Sequence, residues 1–136
     1  MASTYSSNLR IQLIGGGEQA NTWGYTTNVN LGTVIEDAIA GFEEITVAAS
    51  NITLTKYDGI EDQARKAILK FSGTPAAPRT IKLPPDASKL YVVHNTCGQT
   101  LTIAVDGDPI PGAVATVPTA SVYQVYTDGT NVYRVT

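Results

Sequence analysis

From Ile45 onward the chain is broken into short pieces, and that punctuation limits what it can fold into. Nine runs follow one another: ITVAA, ITLTK, AILKFS, RTIKL, KLYVVHN, QTLTIAVD, AVATV, SVYQVYT and NVYRVT. Each is rich in β-branched and aromatic residues, and turn residues separate them about every ten positions, the signature of an all-β sandwich or barrel. Asp106-Gly107 and Asp128-Gly129 supply residues that tolerate the positive φ angles of tight hairpins. Gly73-Thr74-Pro75, Pro84-Pro85 and Pro109 to Gly112 interrupt the chain between runs. The expectation is a mainly β protein with an antiparallel β-sandwich or barrel-like domain. A second short helix is possible over 59–67, where IEDQARKA holds good helix formers on a weak apolar face.

Upstream the texture differs. Residues 1–8 are polar, and LRIQLI (9–14) alternates well enough for a strand. GGGEQANTWGYTTNVN has neither helical nor strand period and is too long for a turn, so it is expected to lie on a surface as an extended arm or loop. NLGTVIEDAIAGF then places Val34, Ile35, Ala38, Ile39 and Phe42 at helical spacing. Thr33 with Glu36 reads as a capping box, Asn30 as a rival N-cap, and Gly41 as the left-handed residue after the helix. Glu36 and Asp37 favour the positive helix end. So short a helix is marginal alone and needs a partner for its apolar face. The expected organisation is an arm with one short α-helix over 1–46, serving docking and oligomerisation, followed by the β domain over 47–136.

The 136 residues make one domain, able to bury roughly two-thirds of the surface its unfolded chain exposes. Charged residues make up 15% of the chain, low against about 25% in typical domains. Much of the surface must therefore be neutral, as in a subunit working inside an assembly or in a Thr-rich soluble β domain. Net charge is −3 with no Lys/Arg cluster in the sequence, so nucleic acid is not an expected partner. No run of 18 apolar residues exists, and no membrane partner is expected. MASTYSSN has no charged region leading into an apolar one, so no secretory signal is expected. The single cysteine, Cys97, rules out an intrachain disulfide and suits a reducing cytoplasm.

Several stretches invite a chemical reading. Gly15, Gly17 and Ala20 fit G-x-G-x-x-A. A dinucleotide cradle needs a helix N-terminus at the phosphates and a βαβ unit around it. Here Asn21-Thr22-Trp23-Gly24 follows instead, and a P-loop would need Gly-Lys where Gly17-Glu18 stands. The glycines therefore read as a bend into the arm. His94 and Cys97 are too few for zinc, which takes four ligands, and a Cys-His nucleophile pair would need a third orienting group. They read as a hydrogen-bonding residue and a small packed residue. Asp106-Gly107-Asp108 lacks the remaining acids of a calcium loop. Asp58, Glu61 and Asp62 read as solvated charge. With no carboxylate pair in an apolar setting, the chain is expected to be non-enzymatic, with no cofactor and no metal.

The tyrosines point to contact. In SVYQVYT, Tyr123 and Val125 share one face, and Val122, Gln124 and Tyr126 the other. A strand apolar on both faces is usually covered on both, by its own core and by a neighbouring subunit or a stacked sugar.

LRIQLIG, GEQANTWG and TTNVNLGTVIEDAIAG together resemble the opening segment shared by tail-fibre-type structural proteins of tailed bacteriophages, and LYVVHNTCGQTLTIAV with YTDGTNVYRV resembles the β domain that follows there. The resemblance implies a virion structural protein, often a homotrimer, assembled in the host bacterial cytoplasm. Its partners would be further copies of itself and other phage tail or capsid proteins. The expected interface residues are Trp23, Val34, Ile35, Ala38, Ile39, Phe42, Tyr123 and Tyr126, with three helices bundled on an axis and Trp23 anchored in a neighbour. Two other readings fit the same material: a decoration or cement protein on the phage head, and a small carbohydrate-binding β module using Tyr123, Tyr126 and Tyr133.

Overall fold

Alternating side chains along the short runs build two sheets that face each other, as a computed structural model of residues 2–135 describes. The strands after the N-terminal region are β3 (Phe42–Thr46), β4 (Ile52–Thr53), β5 (Ile68–Ser72), β6 (Arg79–Leu83) and β7 (Lys89–Asn95). β8 (Leu101–Val105), β9 (Ala115–Val117), β10 (Ser121–Thr127) and β11 (Val132–Arg134) complete them. One sheet has the order β11-β10-β7-β5-β3 and the other β4-β6-β8-β9. Ile45, Leu69, Phe71, Val93 and Val125 from the first meet Ile81, Leu83, Leu101, Ile103 and Val117 from the second in one buried core.

The mainly β sandwich is as expected from the runs. Its pairing corrects the antiparallel expectation. From β3 to β8 the chain changes sheet at every step, so β3, β5 and β7 lie parallel, and so do β4, β6 and β8. Within these two sheets, antiparallel ladders appear only where the winding ends, at β8–β9, β7–β10 and β10–β11. The sheets stay open, edged by β3 and β11 in one and by β4 and β9 in the other, so no barrel closes among the described residues. Asp128 does hold a hairpin turn: its carboxylate accepts the N–H groups of Thr130 (2.9 Å) and Asn131 (2.7 Å), which hold its pKa below the usual carboxylate range.

The N-terminal region departs further from expectation. A small hairpin pairs β1 (Thr4–Tyr5) with β2 (Gln12–Leu13). Helix begins at Trp23, inside the stretch expected to be extended. It runs as α1 (Trp23–Val29), a wider π-helical stretch (Asn30–Ile35) and α2 (Glu36–Ala40). Thr33 is therefore internal and no side chain caps any of these starts. Asn30 instead braces the hairpin: it accepts the Gln12 N–H (3.2 Å) and donates to the Gln12 carbonyl (2.9 Å). Such bonds hold a helix whose own sequence, with Gly24, Thr26 and Thr27, is a poor helix former. Gly41 is extended (φ −68°, ψ 142°), not left-handed. A Cβ there would sit 2.5 Å from the Asp37 carbonyl oxygen, so close approach explains the glycine.

The possible helix over 59–67 is a set of turns. Asp62 takes the N–H groups of Tyr57 and Arg65, each at 2.7 Å, and Gln63 exchanges hydrogen bonds with Thr55. Side chains thus capture backbone groups that a helix would need.

Candidate functional site

The residues expected at an interface fall into two groups. On the helix, Trp23 (59% exposed) and Ile39 (75%) face solvent, together with Tyr25 and Leu31. Val34 is fully buried, and Ile35 and Ala38 are half-buried. On the sandwich, Phe42 is the first residue of β3, not part of the helix. It shares the outer face of the five-stranded sheet with Tyr126. Strand register makes that face continuous. Phe42 lies beside Ile68, Ile68 beside Val92, and Val92 beside Gln124. In the adjoining row Leu90, Tyr126 and Tyr133 are neighbours, with the two tyrosine rings 5.4 Å apart. Leu90, Val122, Tyr126, Tyr133 and Val135 are each at least 40% exposed. Glu44, Lys70 and His94 form a polar border, with a 3.2 Å ion pair between Glu44 and Lys70.

Tyr123 turns the other way, as the alternation requires. It packs on the core, and the Arg134 guanidinium lies 3.9 Å from its ring centroid. Leu90, Val122, Tyr133 and Val135 were absent from the expected interface; Leu90 and Tyr133 lie opposite Tyr126 by strand register, a pairing property that no single run displays, whereas Val122 shares the face of Tyr126 by the alternation of its own strand.

The glycine stretch holds its own carboxylate. Glu18 accepts the Gly15 N–H (3.0 Å) and the Ser3 hydroxyl (2.8 Å), and these bonds hold its pKa below the usual range. Cys97 is buried, with Asn95 Oδ1 accepting its backbone N–H at 3.0 Å. His94 lies one strand position before Asn95, on the outer face. Among the described residues no group of three His, Cys, Asp or Glu is placed to hold a metal.

Solvated charge is the wrong description of Asp62. It is buried and lies 3.3 Å from the equally buried Arg65 guanidinium. Arg65 also donates to the carbonyls of Tyr57 (2.8 Å), Ile60 (3.0 Å) and Leu9. One side chain thus satisfies three backbone acceptors and ties the N-terminal hairpin to the sandwich. The only sequence hint is an acid three residues before an arginine that leads into a strand. Nearby, Lys66 bonds Asp37 (2.9 Å) and Glu61 (3.0 Å). Burial works to lower its pKa, but those two carboxylates outweigh burial and raise it.

A pocket opens beside Arg65, between the hairpin and the sandwich, and Arg10, Lys56, Lys89 and Tyr91 also line it. Burial, helped by the charge of Arg65, pushes the Lys89 ammonium down to about 8. Burial, with the Asp62 charge second, raises the Tyr91 phenol. The Tyr91 hydroxyl donates to the Ala64 carbonyl.

These features define a two-sheet β-sandwich with an N-terminal hairpin and helix, an apolar outer sheet face and a basic pocket. No family model matches the chain, and no match was found among curated proteins or solved structures.

Proposed function

We propose that the chain is a non-enzymatic bacteriophage virion structural protein, a homotrimeric tail-fibre or fibre-attachment subunit. The observation that carries the assembly reading is the outer face of the five-stranded sheet, where Phe42, Leu90, Val122, Tyr126 and Tyr133 form an exposed apolar surface. Contiguous apolar surface of this kind marks a contact site, and aromatic residues are enriched in protein interfaces. The occupant is a second copy of this chain. The face is nearly neutral, its Glu44–Lys70 pair is internal to the protomer, and Trp23 and Ile39 on the helix are further exposed apolar side chains. The virion setting rests on the resemblance of LRIQLIG, GEQANTWG and TTNVNLGTVIEDAIAG to tail-fibre-type proteins.

Light scattering on the purified protein tests the assembly reading. A mass of three times 14.4 kDa is expected, and a folded monomer across the working concentration range overturns it. Imaging of labelled particles tests the placement: label on the tail is expected, and label on the head replaces the fibre with a decoration protein. Glycan binding lost on changing Tyr126 or Tyr133 would move the reading to a carbohydrate-binding module.

A further inference from the structure

We propose that the pocket between the N-terminal hairpin and the sandwich binds a small oxyanion, a carboxylate or a phosphate, through Lys89 and Lys56. In a chain of net charge −3 with nine Lys and Arg, four of the nine, Arg10, Lys56, Arg65 and Lys89, line this one pocket. Two are already balanced. Arg65 has Asp62 and three carbonyls, and Arg10 has Asp58 at 2.7 Å. Lys56 and Lys89 have no carboxylate within 4.0 Å among the described residues, which leaves the pocket two positive charges in excess.

Lys89 is the better placed of the two. Its ammonium lies 4.3 Å from the Tyr91 ring centroid and bonds only the carbonyls of Leu90 (3.1 Å) and Lys66 (3.4 Å). An ammonium has three donors, so one remains for a ligand. Apolar atoms of Leu9 and Pro84 line the same pocket and thin the water around that donor, which strengthens a charge-assisted bond. Arg65 repels the ammonium, Asp62 attracts it, and Tyr91 beside it stays protonated. An anion would relieve the repulsion. Since the ligand takes the protonated lysine, affinity falls as pH rises through about 8.

The test uses the full chain and follows the lysine side-chain NMR signals during titration with sodium phosphate and, separately, sodium acetate, with sodium chloride holding ionic strength constant. The expected result is saturable shifts of Lys89 and Lys56, none at Lys70 or Lys82, and a rise in the apparent Lys89 pKa. In the acetate arm, affinity should drop by up to about tenfold per pH unit above 8. Lys89→Met and Lys56→Met should each weaken binding by about tenfold or more. Response to both anions supports a carboxylate-accepting site, and response to phosphate alone supports a phosphate site. Absence of saturation with both, or equal shifts at Lys70 and Lys82, overturns the proposal. Lys56 is exposed, so Lys56→Met keeps the test open should Lys89→Met fold poorly. The outcome is independent of the subunit mass that tests the assembly reading.

Discussion

On the five-stranded sheet the side chains turned away from the core include Phe42, Ile68, Leu90, Val92, Val122, Tyr126 and Tyr133; on the four-stranded sheet they are Thr53, Thr80, Lys82, Thr102 and Thr116, with one small apolar residue, Ala104, that is itself buried. Both sheets are wound the same way, with parallel central strands and an antiparallel edge. Both contribute alternate residues to one core. Parallel sheets are normally covered on both faces and read as continuous apolar runs, yet the four-stranded sheet is mostly parallel and presents Thr and Lys to water. The winding therefore does not demand an apolar exterior. The apolar exterior of the larger sheet is an additional property of its sequence, and contact with another molecule is the reading that accounts for it.

The strongest way to break this comparison is to charge the apolar face. Leu90→Glu with Tyr126→Glu should abolish self-association, because each places a carboxylate where partners would exclude water. Thr102→Lys on the other sheet should leave it intact. Sedimentation of the three proteins side by side decides, and equal behaviour would remove the distinction between the faces. Next in size, Arg65→Ala should cost about 3–5 kcal/mol in denaturant unfolding, because Asp62 is left buried without its partner and the hairpin loses its bond at Leu9. If association survives that change, the contact belongs to the sheet and not to the hairpin.

A smaller effect is set by pH. Burial pushes the Lys89 ammonium down to about 8 in the folded protein, against its ordinary 10.5 in the unfolded chain. Between these values the unfolded chain holds more protons, so stability should rise with pH, by at most about 1.4 kcal/mol per unit. Lys89→Met should flatten that rise in thermal melts over pH 8 to 10; an unchanged slope would show that the ammonium is well solvated. The smallest effect belongs to the Tyr126–Tyr133 pair. A double-mutant cycle in a dissociated background should return about 0.5–1 kcal/mol of coupling. A value near zero would mean that the rings are arranged for a partner and not for the protomer.

Strand content was legible because each run carries its own β-branched and aromatic residues, and all nine runs from ITVAA to NVYRVT overlap a strand. ITVAA meets only the tail of β3, which starts earlier at Phe42. Strand direction was not legible: turn residues every ten positions arise equally from a hairpin in one sheet and from a crossing to the other. The opposite faces of Tyr123 and Tyr126 followed from period two alone. The helix at Trp23 was hidden because Asn30 supports it from the side, through Gln12, and not through any capping residue. Asp62 was misread as solvated because its partners are backbone amides and the buried Arg65 guanidinium, which is itself held by carbonyls of residues as distant as Leu9.

The change of sheet at every strand also dictates the order in which the molecule can be completed. Each ladder from β3 to β8 joins segments more than twenty residues apart, and β7 waits for β10, roughly thirty residues later, before its second edge is paired. Such topologies close slowly, since distant segments must meet before any contact rewards them. A ribosome-bound chain would remain open until residues 121–134 emerged. Only then would Leu90, Tyr126 and Tyr133 stand side by side, and until then β7 would carry an unpaired edge, the state in which such a chain is most prone to pair wrongly.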